Sequence, residues 1–245
     1  MTVRLDGIDL VVFDKDGTII EFGSMWSGWA IALAEAMTAA TGRQIAEPVY
    51  AMLGFDPETG VVTPGGGLAA TPMARLRDRT RDVLVASGMS EGDAERALEA
   101  TWNAPDPIAL ARPLTDLGAL FDRLRDGGCL IAVATTDDRD ATERTLAALG
   151  VGDRIDAIVC ADDGIAVKPA PDMVVHLCTA LGVLPSRTAV VGDTAADLRM
   201  ARAAGAGLAV GVLTGVGGRP ELEPLADAVI ASVEELEPRE ADESS

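Results

Sequence analysis

An α/β fold, built on a doubly wound parallel sheet with an inserted helical domain, is the architecture that three features of this sequence predict. Short apolar runs of strand length recur, mostly unbroken rather than alternating, as parallel strands covered on both faces require. Segments of helical periodicity lie between them, each followed by a glycine suited to a left-handed cap. One interruption, from Phe13 to Leu130, is too long for a single crossover.

The strand candidates are Leu10–Phe13, Leu130–Ala134, Ala157–Cys160, Ala189–Val191, Leu208–Val212 and Ala228–Ile230. The helices between them are Asp140–Leu149, Asp172–Leu181 and Ala195–Ala204, closed by Gly150, Gly182 and Gly205. Strand and helix alternating at this spacing give a parallel sheet with crossover helices. Inside the long interruption three amphipathic helices are expected: Trp26–Thr41, Thr71–Ser87 and Ser90–Thr101. The last opens with a capping box at Ser90 and Asp93, and a Pro/Gly loop from Pro57 to Gly67 divides the set. Residues 21–111 therefore read as a helical cap inserted into a core made of residues 1–20 and 112–236. The acidic, serine-ended stretch from Glu234 onward, and 237–245 above all, reads as a flexible tail.

At 245 residues the chain can bury a sizeable core. Aromatics supply 3% of it while hydrophobic residues make up 48%, a balance that suits close-packed helices on parallel strands. A formal charge of −19 opposes binding to nucleic acid or to anionic membranes. It permits a small anionic substrate, because one metal ion and one lysine can reverse the field inside a pocket. Cys129, Cys160 and Cys178 are well separated in apolar surroundings and read as buried thiols. The N-terminus shows no signal-peptide pattern and no apolar run is long enough to span a bilayer. A cytoplasmic, reduced protein, monomeric or homodimeric, is expected.

In an open parallel sheet, ligands bind beyond the carboxyl ends of the strands, and four segments lie there. Asp14-Lys15-Asp16-Gly17-Thr18 follows the first strand. If the backbone turns at Gly17, both carboxylates can enter one crevice. Their repulsion then calls for a cation such as Mg²⁺, which prefers oxygen ligands. One carboxylate can attack phosphorus while the other handles a proton; the alternative reading of the segment is a polar turn capping a strand. Thr135 and Thr136 close the next strand, with a hydroxyl and N–H groups suited to phosphate oxygens. Lys168, before Pro169 and Pro171, opens a helix as a compact positive charge. Asp193 and Asp197 stand one helical turn apart, as a metal ligand and its support would, although Asp193 also fits a helix N-cap.

In their order and placement these four segments resemble the haloacid dehalogenase superfamily, and within it capped phosphatases of the phosphoglycolate phosphatase type. The resemblance implies a Rossmann-like core, with Asp14 as the nucleophile that forms an aspartyl-phosphate and Asp16 as general acid, then base. It implies that Thr135, Thr136 and Lys168 hold the phosphoryl group. The Mg²⁺ would be held by Asp14, the Asp16 carbonyl and Asp193, with Asp197 in support. Thr136 departs from the family, which commonly has asparagine there. The implied substrate is a small phosphorylated metabolite, such as phosphoglycolate or a sugar phosphate. A phosphomutase would use the same residues, whereas a 2-haloacid dehalogenase would need neither Asp16 nor a metal.

Other features are set aside. The glycines of Thr214–Arg219 lack dinucleotide-loop spacing and read as a surface loop at the sheet's rim. His176 reads as an ordinary helix residue. Arg75, Arg77, Arg79 and Arg81 read as a solvated helix face, with a substrate anchor as the sharper alternative. Phe22, Met25 and Trp26 follow the Asp14 segment closely enough to be candidate substrate-facing residues, though at least one of Trp26 and Trp29 is expected in the cap core.

Overall fold

The computed structural model describes residues 2–102 and 107–239. In chain order, β1 (Val3–Arg4) and β2 (Leu10–Phe13) precede six helices: α1 (Phe22–Thr41), α2 (Ala46–Leu53), α3 (Gly67–Ala70), α4 (Met73–Ala86), α5 (Glu91–Thr101) and α6 (Pro107–Leu110). Then come α7 (Leu117–Asp126), β3 (Leu130–Ala134), α8 (Arg139–Ala148), β4 (Ala157–Val159) and α9 (Asp172–Leu181). The chain continues through β5 (Thr188–Gly192), α10 (Ala195–Ala204), β6 (Leu208–Val212), α11 (Arg219–Leu222), β7 (Ala228–Ile230) and β8 (Leu236–Glu237). Its contacts divide it into two compact units, Met1–Glu21 with Ala111–Ser245, and Phe22–Leu110.

The first unit holds a six-stranded parallel sheet in the order β4-β3-β2-β5-β6-β7, the doubly wound topology expected. Its strands are apolar on both faces because helices cover both: all four residues of β2 and all five of β5 are buried. One layer of core joins Leu10, Val12, Met173, Leu177, Val190 and Leu198 from strands and flanking helices. At the centre Phe13 lies level with Val133 on one side and Val191 on the other. The chain leaves β2 toward β3 and returns on the far side at β5, so the topological switch point, where such sheets bind ligands, falls beside Asp14.

This unit also holds elements that lay outside the sequence reading, β1 and α11 among them. α7 was not expected, although Leu117, Leu120, Phe121 and Leu124 fall on one buried face and Phe121 packs on Phe13 with ring centroids 5.5 Å apart. Nor was β8, and here the expected tail is corrected. Leu236 and Glu237 pair with Val3 and Arg4, and Leu236 is fully buried. An apolar residue that finds a long-range partner outweighs the acidic composition around it. The part of the expected tail from 240 to 245 lies outside the described residues.

The second unit is a helical bundle in which α1 packs on α2 and α5, and α4 packs on α2 and α5. Trp29 is its aromatic centre, edge to face with Trp26 at 5.8 Å and with Trp102 at 5.3 Å. Met37, Leu76, Leu84 and Leu98 complete its core. The sequence reading missed α2, where Val49, Tyr50 and Leu53 form the buried face. Ser90 caps α5 by accepting the Asp93 N–H, but the reciprocal bond of a capping box is replaced by a Ser90 hydroxyl donated to Asp93 Oδ2. Three of the four α4 arginines have local partners: Arg77 with Glu95, Arg79 with Thr71 and Arg81 with Asp78. The three cysteines are buried and unpaired. Among the described residues no helix is long and apolar enough to cross a membrane.

Candidate active site

The site begins where β2 ends. Asp14 donates its N–H to the Val191 carbonyl, extending the ladder by one residue. The chain then turns so tightly that the Lys15 carbonyl accepts the N–H groups of both Ile19 and Ile20 at 3.0 Å. Gly17 adopts φ +87°, and a Cβ there would lie 2.6 Å from Asp193 Oδ2 and 2.8 Å from the Gly215 Cα. Glycine is thus required twice over, by backbone conformation and by space.

The turn brings four predicted residues together. The Lys168 ammonium donates to Asp14 Oδ1 at 2.5 Å and lies 2.6 Å from Asp197 Oδ1. That second contact is an ion pair without hydrogen-bond alignment. Carboxylate oxygens of Asp14, Asp193 and Asp197 all fall within 4.8 Å of one another. The Thr18 hydroxyl lies 3.4 Å from Asp14 Oδ2 and 3.5 Å from Asp193 Oδ1. Asp197 is held through its other oxygen, which accepts both the N–H and the hydroxyl of Thr194 in a true capping box at the start of α10. Thr194, not Asp193, is therefore the N-cap, which leaves Asp193 free of that duty.

Electrostatics identifies what the cluster lacks. Three buried carboxylates face one ammonium, an excess of negative charge in a low-dielectric setting. Burial pushes Asp14 up to about 6 against the pull of Lys168, with Asp197 and Asp16 adding to the rise. Burial, then Asp14 and Asp197, hold Asp193 well above the carboxylate range. Burial alone would lower Lys168, but Asp14 and Asp197 outweigh it and keep the ammonium charged. The residues present fit a divalent cation: the donors are all hard oxygens, and a second positive charge would relieve their repulsion.

Asp16 turns one carboxylate oxygen to the Lys15 ammonium at 2.8 Å. Thr135 and Thr136 end β3 next to β2; Thr135 is 2% exposed and its hydroxyl oxygen accepts the Asp137 N–H. Phe22, Met25 and Trp26 lie at the start of α1 in the second unit, with Met25 and Trp26 buried. His176 is exposed on α9.

Two contributors were missed. The loop after β6, expected to be a surface loop, forms a wall of the site. Val216 donates its N–H to Asp193 Oδ2 at 2.7 Å, Thr214 donates to the Gly17 carbonyl, and a Cβ on Gly215 would lie 1.9 Å from Asp193 Oδ2. The glycine run was the available signal, but it was tested only against dinucleotide spacing. The second is Lys15, to which the sequence reading gave no role and which is fully buried.

A family model described as a haloacid dehalogenase-like hydrolase matches residues 8–205, most of the chain. The chain belongs to the haloacid dehalogenase-like hydrolases. It is a hydrolytic enzyme of this family. It is 27% identical over 199 residues to a phosphoglycolate phosphatase of Aquifex aeolicus, covering 80% of this chain and 81% of the relative. It is also 27% identical to an N-acetylmuramic acid 6-phosphate phosphatase of Pseudomonas aeruginosa, over 80% of this chain and 77% of that one. Among solved haloacid dehalogenase-like structures, CbbY from Rhodobacter sphaeroides in complex with phosphate superposes with a TM-score of 0.61 at 22% identity, covering 92% of this chain and 95% of that one. That likeness concerns the fold.

Proposed function

We propose that this hydrolase is a Mg²⁺-dependent phosphatase that cleaves a small phosphate monoester through an aspartyl-phosphate on Asp14. The observation that carries the reading is the convergence of Asp14, Asp193, Asp197 and Lys168 at the switch point of the sheet, with Asp16 two residues from Asp14. The phosphatase names of the two sequence relatives support it.

In this reading an Asp14 carboxylate oxygen attacks phosphorus and the ester oxygen leaves with a proton from Asp16. Asp16 then takes a proton from water as that water attacks phosphorus, releasing inorganic phosphate and restoring Asp14. Lys168 orients Asp14 and neutralises equatorial oxygens of the transferring group, the main task in a loose phosphoryl-transfer transition state. The Thr135 hydroxyl and the Thr136 hydroxyl and N–H supply donors to those oxygens, the Thr135 N–H being donated to the Val159 carbonyl. Mg²⁺, held by Asp14, Asp193 and the Asp16 carbonyl with Asp197 in support, would supply the positive charge that lets an anionic carboxylate approach an anionic phosphate. The core is assigned to residues 1–20 and 112–236. Choice of ester is assigned to the helical unit, residues 21–111, through Phe22, Met25 and Trp26. A reduced, cytoplasmic setting fits the three free thiols.

The test is a screen of phosphorylated metabolites, phosphoglycolate and sugar phosphates among them, with Mg²⁺ for wild type and Asp14→Asn. Phosphate release that disappears with the substitution and with chelator is expected. Release that survives either would overturn the reading, and phosphate relocated on the substrate would make the protein a mutase.

A further inference from the structure

Lys15 has no task in the mechanism above, yet it is among the largest fully buried side chains of the protein. Its ammonium lies 2.8 Å from Asp16 Oδ1 and 3.2 Å from Asp137 Oδ2. Burying an ammonium between two carboxylates is costly, and apolar replacements of such groups are often neutral or stabilising. The flanking Phe13, Ile19 and Ile20 are fully buried, so an aliphatic side chain would suit the position. A charge retained there points to a geometric role.

Both ends of the clamp are fixed. The Lys15 carbonyl holds the turn through Ile19 and Ile20. Asp137 is pinned to the loop after β3: its N–H goes to the Thr135 hydroxyl, its carbonyl accepts from Ala161, and its second carboxylate oxygen accepts the Asp138 N–H. Two buried lysines thereby sort the carboxylates. Lys168 gathers Asp14 and Asp197, while Lys15 takes Asp16 and Asp137.

We infer that Lys15 is a positioning residue for proton transfer: clamped to Asp137, it keeps the Asp16 carboxylate out of the Asp14–Asp197–Lys168 cluster and fixed for the leaving-group oxygen. The inference rests on the phosphatase reading. It predicts that Lys15 matters in proportion to the leaving group's need for a proton.

The experiment compares kcat/KM for wild type and Lys15→Met on two substrates with Mg²⁺: the alkyl phosphate that the wild type turns over best, and acetyl phosphate, whose carboxylate leaves without a proton. Since kcat/KM reports steps up to the first irreversible one, it isolates formation of the aspartyl-phosphate. The alkyl ester should lose roughly 10- to 100-fold, a large part of what general acid catalysis contributes, and acetyl phosphate less than about threefold. Should Lys15→Met fail to fold, Asp137→Asn keeps the shape and loosens the far end of the clamp, and the same split is expected at smaller size. An equal loss on both substrates, or a gain on the alkyl ester, would overturn the inference and leave the phosphatase reading standing. A wild type inert toward both substrates would take the inference down together with that reading.

Discussion

Burial raises the Asp14 and Asp193 carboxyls above the ordinary carboxylate range, and this has a signed consequence for stability. Their folded pKa values are raised, Asp14 to about 6. A raised carboxylate contributes stability at low pH that is lost as pH climbs through the folded value. Metal-free wild type should therefore lose ground to Asp14→Asn as pH rises from about 4 to about 6.5, from the unfolded carboxyl value through the folded one, and Mg²⁺ should narrow or invert the gap. Thermal melts with chelator and with Mg²⁺ measure this; parallel curves for both proteins would show that the cluster is not strained by its own charge. Gly215→Ala tests the wall of the site, since its Cβ would displace the Asp193 carboxylate. An ångström of misplacement there should cost about 100-fold in kcat/KM, and near-normal activity would remove this loop from the account. Asp14, Asp16 and Asp193 were legible in the sequence because they sit just past unbroken apolar runs, Asp197 because it follows Asp193 by one helical turn, and Lys168 because Pro169 and Pro171 mark the helix start behind it. Lys15 and Gly215 were not, because Lys15 meets Asp137, and Gly215 meets Asp193, only once the fold brings neighbouring strand ends together.

The helix α10 joins stability to the site through one cap. Thr194→Ala removes the side-chain half of the capping box, at a cost of about 1 kcal/mol. It also frees the Asp197 oxygen that Thr194 holds, so activity should fall with stability. Ser90→Ala at the start of α5 should cost about the same 1 kcal/mol and leave activity unchanged. Denaturation midpoints and kcat/KM for the two variants separate the effects; equal activities would mean that the α10 cap serves folding only. The six strands of the main sheet were readable because β2, β3, β5 and their neighbours are short, apolar and flanked by polar turns. α7 and α2 carry the same signal more weakly, with charged residues interleaved, as in Asp122, Arg123, Arg125 and Glu47. β1 and β8 are two residues each, and only their mutual pairing makes them strands.

The whole molecule carries a charge of −19, so a dianionic substrate approaches against a repulsive field except near Lys168. Raising salt shrinks the Debye length from about 30 Å at 0.01 M to about 8 Å at 0.15 M. With Mg²⁺ saturating, kcat/KM for a phosphate monoester should rise over that range; a fall would show that the local positive field dominates the approach. Fold class was visible at this scale, because short apolar runs alternate with helices, and four polar segments follow strands that the order β4-β3-β2-β5 sets side by side. Choice of ester was not, since the helical unit to which we assign it shows only the spacing of packed side chains. The central claim, that Asp14 is the nucleophile, is tested most directly by acid-quenching the enzyme during turnover of a phosphate-labelled substrate and mapping the label by peptide mass. Phosphate on the peptide carrying Asp14, absent from Asp14→Asn, is the predicted result. Full-rate phosphate release with no label there, or label on another residue, would contradict it.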